Sequence, residues 1–415
     1  MNNREKLQNA LNHQSGPIPI DFGCTAVTGI HISVVQELRK YFGLVKSPVQ
    51  VVEPYQMLGF IDEDLKKILK IDTAGISTPN TMFGFPLDDW KQWKTPWGQE
   101  ILVPGKFEVD ENENGVFIYP QGDRTAKPSG HMPKTGFFFD TIIRQPQIQE
   151  DKLNAADNLE EFGLISQNDI AYYKKQIDEV SKSGWGIVAA FSGTAFGDIA
   201  LVTAPFLKNP KGIRDITEWY ISTAIRQDYI HSVFSKQLEF AIENLKRIYK
   251  TIGNDIDVVF LCGTDFGTQC GTFCSIDTFQ KLWKPYYSKL NGWIHENTKW
   301  KTFKHSCGAV FDFVEEFVDC GFDILNPVQT SAKGMDAVEL KKTYGNRIVF
   351  WGGGIDTQQI LPFGTPQQVK DEVLRKCEIF SKDGGFVFNS IHNVQAKTPT
   401  ANVIAMFEAV WQFNS

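Results

Sequence analysis

Lys301-Thr302-Phe303-Lys304-His305-Ser306-Cys307-Gly308 is the stretch that decides how the chain folds. A β-like run, Lys301 to Lys304, closes at His305 and opens into a loop, and the helix-like Phe311 to Val318 follows. Side chains two apart on a strand share a face, so His305 and Cys307 aim an imidazole nitrogen and a sulfur at one point. Both are good ligands for a borderline-soft metal such as zinc. Without a metal, His305 is still a candidate acid, base or hydrogen-bond donor.

The strand, loop and helix unit recurs. Apolar runs bounded by Gly, Asn or Asp predict strands at Pro17–Phe22, Ile71–Ser77, Gly186–Phe191, Asp257–Cys262, Lys301–His305, Phe322–Asn326, Arg347–Trp351 and Gly385–Asn389. Amphipathic helical patterns lie between most of them: Ile213–Tyr249 (more than one helix), Ile276–Glu296, Ala309–Asp319, Met335–Tyr344 and Pro366–Phe380. Such alternation means an α/β protein with a parallel sheet. Eight units predict a closed (β/α)8 TIM barrel, a single domain over residues 1–415. A doubly wound open sheet is the runner-up, weakened because no Gly-x-Gly-x-x-Gly follows an early strand.

Asp88 to Asp140 breaks the alternation and is rich in aromatics, Gly and Pro. Within it Glu100–Val109 and Gly115–Tyr119 flank the turn-like run Asp110 to Asn114, which predicts an inserted β-hairpin. The 88–140 segment is expected to lie over the barrel mouth or to join a partner subunit, as in a homodimer.

Composition narrows the function. The chain has 415 residues, a net charge of −7 and no Lys/Arg-rich run, which argues against a nucleic-acid surface. No stretch of about 18 apolar residues exists, so no membrane span is expected. Met1 to Gln14 reads as an amphipathic helix and not as a signal peptide. The seven cysteines, an odd number in a long chain, read as reduced thiols of a cytoplasmic protein.

In such a barrel, function sits past the C-terminal ends of the strands. The residues there are Asp21 and Gly23; Gly193 and Thr194; Asp265 and Gln269; His305 and Cys307; Asn326 and Gln329; Gly352 to Gly354 and Asp356; and His392, Asn393 and Gln395. A catalytic zinc wants three protein ligands and an open position. His305 and Cys307 supply two; His392 or Asp265 is the expected third, with Cys270 and Cys274 as further options. The plainer alternative is a buried cysteine beside a hydrogen-bonded histidine. His392 and Asp265 are the candidate catalytic groups, for proton transfer or for holding substrate. Their plainer alternatives are a rim histidine and a turn or N-cap aspartate. Asn326, Gln329, Gly353, Asp356 and Asp21 are expected to bind a small-molecule substrate. The Gly352–Gly354 run suits close packing better than phosphate binding, since apart from Thr357 no Lys, Arg, Ser or Thr flanks it.

These residues together resemble the uroporphyrinogen decarboxylase superfamily, which includes cobalamin-linked methyltransferases. The resemblance runs almost end to end, from Arg4-Glu5-Lys6-Leu7 and Pro17 to Gly23, through His305 to Gly308 and Asp323 to Gln329, to Trp351 to Asp356 and Phe388 to Asn393. It implies a (β/α)8 barrel. True decarboxylases of the family carry an arginine-bearing motif after strand one; this chain has Asp21-Phe22-Gly23-Cys24-Thr25-Ala26-Val27, with no arginine. Nor does an acid beyond Asp72 to Ser77 match the family's catalytic aspartate. A substrate with many carboxylates would go unpaired, at a cost of several kcal/mol. The methyltransferase branch holds zinc with a His-x-Cys pair, matched by His305 and Cys307, and a distant cysteine near the position of Ser390, which is absent. The resemblance therefore implies methyl transfer between a small methylated substrate and a corrinoid protein, with cobalamin carried by that partner. The alternatives are a metal-free decarboxylase or lyase acting on a small carboxylate with His392 as proton donor, or a non-catalytic binding barrel.

Overall fold

The computed structural model describes residues 1–195 and 197–415; the side chain of Cys262, one of the seven cysteines, lies outside the described set. Seven parallel strands form one curled sheet: β1 (Thr73–Ile76), β2 (Gly186–Ala190), β3 (Val258–Cys262), β4 (Lys301–His305), β5 (Ile324–Asn326), β6 (Val349–Trp351) and β7 (Phe386–Val387). Each lies beside its neighbour in chain order. Val188 sits between Gly75 and Val258, Phe260 opposes Phe303, His305 opposes Asn326, and Trp351 opposes Val387.

The first expected strand needs correction. Pro17–Phe22 forms no ladder; it is pared to one parallel bridge between Ile20 and Phe388. Pro17 and Pro19 lack the N–H that a ladder requires. The bridge still closes the ring. Asp21 N donates to Phe388 O at 2.9 Å, Phe388 N donates to Pro19 O at 2.8 Å, and Asp72 N donates to Ile20 O at 2.8 Å. The fold is the expected (β/α)8 barrel.

Alternation along the strands sends one set of side chains inward. Val188, Val258, Phe303, Ile324, Val349, Trp351 and Val387 fill the ring together with Leu7, Ala10 and Leu11. The last three belong to helix α1 (Asn3–Leu11), started by the reciprocal Asn2–Glu5 cap. It plugs the N-terminal end. Lys6 pairs with Asp72 at 2.8 Å and Arg4 with Asp257 at 3.0 Å, both acids lying just ahead of strands. The other face of each strand packs under the helical layer.

Most helices sit where the apolar period places them. Ile213–Tyr249 divides into Ile216–Ile225 and Gln227–Ile252, and Ile276–Glu296 divides at Trp283, ahead of Pro285. Pro366–Phe380 keeps its expected bounds because Pro366 opens it and Thr365 and Gln368 cap it. Among the described residues no helix is long and apolar enough to cross a membrane.

The inserted segment is more extensive than a hairpin. Glu100–Val103 pairs with Lys91–Lys94, not with Gly115–Tyr119. The hairpin itself joins Val109–Asn112 to Gly115–Ile118, and Gly130–Pro133 and Asp140–Thr141 extend it to four strands. Asp110 to Asn112, read as turn, are strand; the turn is Glu113-Asn114, the two-residue loop that antiparallel twist favours. The insertion docks on loops at the C-terminal end of the barrel. Leu102 N donates to Val49 O at 2.9 Å and Phe139 N to Tyr55 O at 2.8 Å. Gln121 Nε2 reaches Phe206 O at 3.1 Å.

Candidate metal and catalytic site

β4 delivers His305 inward, two residues after Phe303 of the barrel core. Cys307 follows on the loop, and its Sγ lies 3.5 Å from His305 Nε2. His392 arrives from the loop after β7. The three side chains place one ligand atom each within 4.8 Å of one another. The His305 and His392 rings meet edge to face, with centroids 5.3 Å apart.

Neighbours fix each of the three. Asn326, opposite His305 on β5, accepts from His305 Nδ1 at 2.7 Å, while its own Nδ2 donates to Trp351 O at 2.9 Å. That second bond sets the amide, so Nδ1 carries the proton and Nε2 offers its lone pair beside Cys307. Asp265 Oδ1 accepts from Cys307 N at 2.7 Å and lies 3.9 Å from His305 Nε2. Gln329 Oε1 accepts from Gly308 N at 2.7 Å and passes the contact on to Gln269 at 2.5 Å. Gly267 and Gly308 bring the loops after β3 and β4 into backbone contact: a Cβ on Gly308 would meet Gly267 C at 2.3 Å. His392 sits at φ 62°, held by Ser390 Oγ on its carbonyl at 2.5 Å and by Thr357 Oγ1 on Ile391 O at 2.5 Å.

Burial sets the charge state. It depresses the His305 imidazole to about 4, and it depresses His392 to about 3, with His305 adding to the effect. Both rings are neutral at neutral pH, which suits ligation and not donation from an imidazolium. Burial pushes the Cys307 thiol far up, and Asp265 pushes it further. Asp265 is itself raised by burial. A tetrahedral zinc spaces sulfur and nitrogen donors roughly 3.5 Å apart, which is the spacing of Cys307 and His305. Two neutral imidazoles, a thiol and a nearby carboxylate are the donor chemistry such an ion takes, so these residues fit one.

The other expected residues are each held by neighbours. His392, and not Asp265, completes the close set of ligand atoms. Asn326 and Gln329 are buried and spend their amides on His305, Trp351, Gly308 and Gln269. Asp21 is fully buried, with its carboxylate taken by Thr73 at 2.6 Å and by Cys24 and Trp351 at 2.9 Å each; it falls outside the close set of candidate ligand atoms. Gly353 serves close packing, since a Cβ there would meet Val328 O at 2.6 Å. Asp356 caps the turn after β6 by accepting from Gln358 N at 2.7 Å. Cys270 and Cys274 fall outside the close set, and like Cys24, Cys307, Cys320 and Cys377 they are free thiols.

Two residues escaped the sequence reading. Asp198, in the loop after β2, accepts from Gly263 N at 3.2 Å; burial raises its carboxyl, Asp265 raises it further, and Lys304 eases it. Lys304 is fully buried beside His305. A lysine inside a predicted strand was the available signal for the second; the first had none, being well past its strand.

The comparisons agree with this architecture. The family model described as uroporphyrinogen decarboxylase (URO-D) matches residues 163–413. No curated protein sequence matches the chain. Among solved structures, a methyltransferase from Methanosarcina mazei is similar over 100% of both chains, at 16% identity and a TM-score of 0.56. A β-glycosidase from Thermosphaera aggregans covers 85% of this chain and 86% of its own at 9% identity, with a TM-score of 0.36. The first likeness supports the fold; the second is too remote to carry an argument.

Proposed function

The chain belongs to the uroporphyrinogen decarboxylase family, and from that premise we propose that it is a metal-assisted methyltransferase. It would move a methyl group between a small methylated substrate and a corrinoid protein. The observation that carries this reading is the convergence of His305, Cys307 and His392 within 4.8 Å at the mouth of the barrel. In this reading His392 would stand in for the second cysteine that the sequence lacks near Ser390.

In this reading His305 Nε2, Cys307 Sγ and His392 hold zinc. Bound there, zinc supplies Lewis acidity that turns the substrate's heteroatom into a better leaving group. The protein's own groups do the rest. Asn326 keeps the proton of His305 on Nδ1 and its lone pair on Nε2. Asp265 holds the Cys307 backbone at 2.7 Å, and its carboxyl, raised by burial, would receive or return a proton in this reading. The same features speak against a polycarboxylate substrate, because the 21–27 loop has no arginine. The buried Arg214 is already bonded to Glu161 at 2.8 Å.

The test is metal content together with methyl transfer. Purified protein should carry about one zinc per chain, and it should methylate or demethylate a corrinoid protein in the presence of small methoxy, methylthio or methylamine donors. His305→Ala, Cys307→Ala and His392→Ala should each lower the metal content. A fully active wild type that holds no metal sinks the metal part. Activity on a small carboxylate with no methyl transfer sinks the reaction class.

A further inference from the structure

Lys304 is a fully buried lysine in the middle of the barrel wall. It precedes His305, so alternation sends the two side chains to opposite faces: His305 to the mouth, Lys304 under the helical layer. Its ammonium lies 5.0 Å from the Phe266 ring, 5.9 Å from Tyr287 and 5.6 Å from Phe317. It donates to two backbone carbonyls, Thr264 O and His305 O, at 2.6 Å each. Those carbonyls belong to the two chain segments that carry the site: Thr264 precedes Asp265, and His305 leads to Cys307.

We propose that Lys304 is the positioning residue of the ligand set, a buried cation that clamps the loops after β3 and β4 and so holds His305, Cys307 and Asp265 in register. The inference rests on the metal reading above. Its logic is local. The loops already meet at Gly267–Gly308, where a Cβ would find backbone at 2.3 Å, and Phe266 N bonds Ser306 Oγ at 2.9 Å. Neither contact fixes the carbonyl of His305 itself, and Lys304 does. An ammonium has three donors, so one side chain can reach both strand ends at once. Aromatic faces on three sides favour a cation at that point over a neutral group. Lys304 itself is fully buried. It acts through the backbone of the ligands.

The experiment uses cobalt(II) as a spectroscopic stand-in on the full chain. Absorption reports both its affinity and the thiolate-to-cobalt band that Cys307 contributes. Lys304→Gln and Lys304→Met are compared with Lys376→Met, which removes another buried lysine, bonded to Thr330 Oγ1 at 2.5 Å. Both Lys304 variants should bind cobalt about ten-fold more weakly or worse, as outer-shell changes do, with a shifted or weakened thiolate band. Lys376→Met should bind as wild type does. Wild-type affinity and spectrum in the Lys304 variants overturn the proposal, and so does an equal loss in Lys376→Met. A wild type that binds no cobalt overturns the metal reading and this proposal together, so the two failures are distinguishable. Should neither Lys304 variant fold, Phe317→Leu thins the aromatic cage from the helix that follows the Cys307 loop. It should weaken cobalt about three-fold and shift the band; an unchanged titration overturns the clamp.

Discussion

His392 holds φ 62°, a left-handed backbone that costs a side-chain-bearing residue on the order of 1 kcal/mol. The strain and the ring can be separated. His392→Gly relaxes the backbone and deletes the imidazole, so the thermal midpoint should stay level or rise while bound metal falls. A large drop in stability with metal retained would show that the ring is structural. His305 and Cys307 were legible because a period of two is readable on any strand, and His392 because strand ends converge at one mouth. The roles of Asn326, Asp198 and Lys304 were not legible. Each depends on a contact between strands or loops whose register one sequence does not specify: Asn326 opposite His305, Asp198 on Gly263, Lys304 beneath two carbonyls. Asn326, Gln329 and Asp265 bond side chains and backbone around His305 and Cys307, because a polar group at a crowded strand end is satisfied by its nearest neighbour first.

The loops after β3 and β4 behave as one element because Gly267 and Gly308 let them touch. Gly308→Ala sets a Cβ 2.3 Å from Gly267 C and asks alanine to hold φ 89°. It should destabilise the protein by about 2–4 kcal/mol and weaken metal binding; unchanged denaturant midpoint and metal affinity would refute that coupling. The turn after Val51–Glu53 carries a pH dependence of its own. Burial raises the Glu53 carboxyl from 4.5 to about 7, although Gln56 N and Tyr55 N donate to it at 2.7 and 2.9 Å. Between those values the folded state binds more protons than the unfolded chain. The contribution of Glu53 is therefore fully present below 4.5, declines as pH rises and is lost above about 7. Glu53→Gln should flatten that decline by on the order of 1 kcal/mol per pH unit, read from urea midpoints across the range. At this scale, strand existence was legible and strand length was not. Prolines removed the ladder at Pro17–Phe22, and the twist of a two-residue loop moved the hairpin turn to Glu113-Asn114.

For the molecule as a whole, the barrel core is completed from outside the ring. Leu7 of α1 is fully buried against Gly186. Leu7→Ala should cost about 2–4 kcal/mol of unfolding free energy, measured by chemical denaturation; a loss under about 1 kcal/mol would mean the helix is not part of the cooperative core. The architecture was legible because eight alternating units admit few closures. The docking of residues 88–140 on the rim was legible only as one of two options. The ring itself has a seam. Six of its joins are ladders, and the joins on either side of Ile20 rest on a handful of backbone bonds. His305 and Cys307 hang from the long β4, whereas His392 hangs just past β7, the strand that borders the seam. An ion gripped by all three would act as a rivet across the weakest circumference of the barrel. Loading it would then register as resistance of the entire ring to opening, and chelation would slacken hydrogen exchange protection first at the Asp21 and Phe388 amides, far in sequence from two of the three ligands.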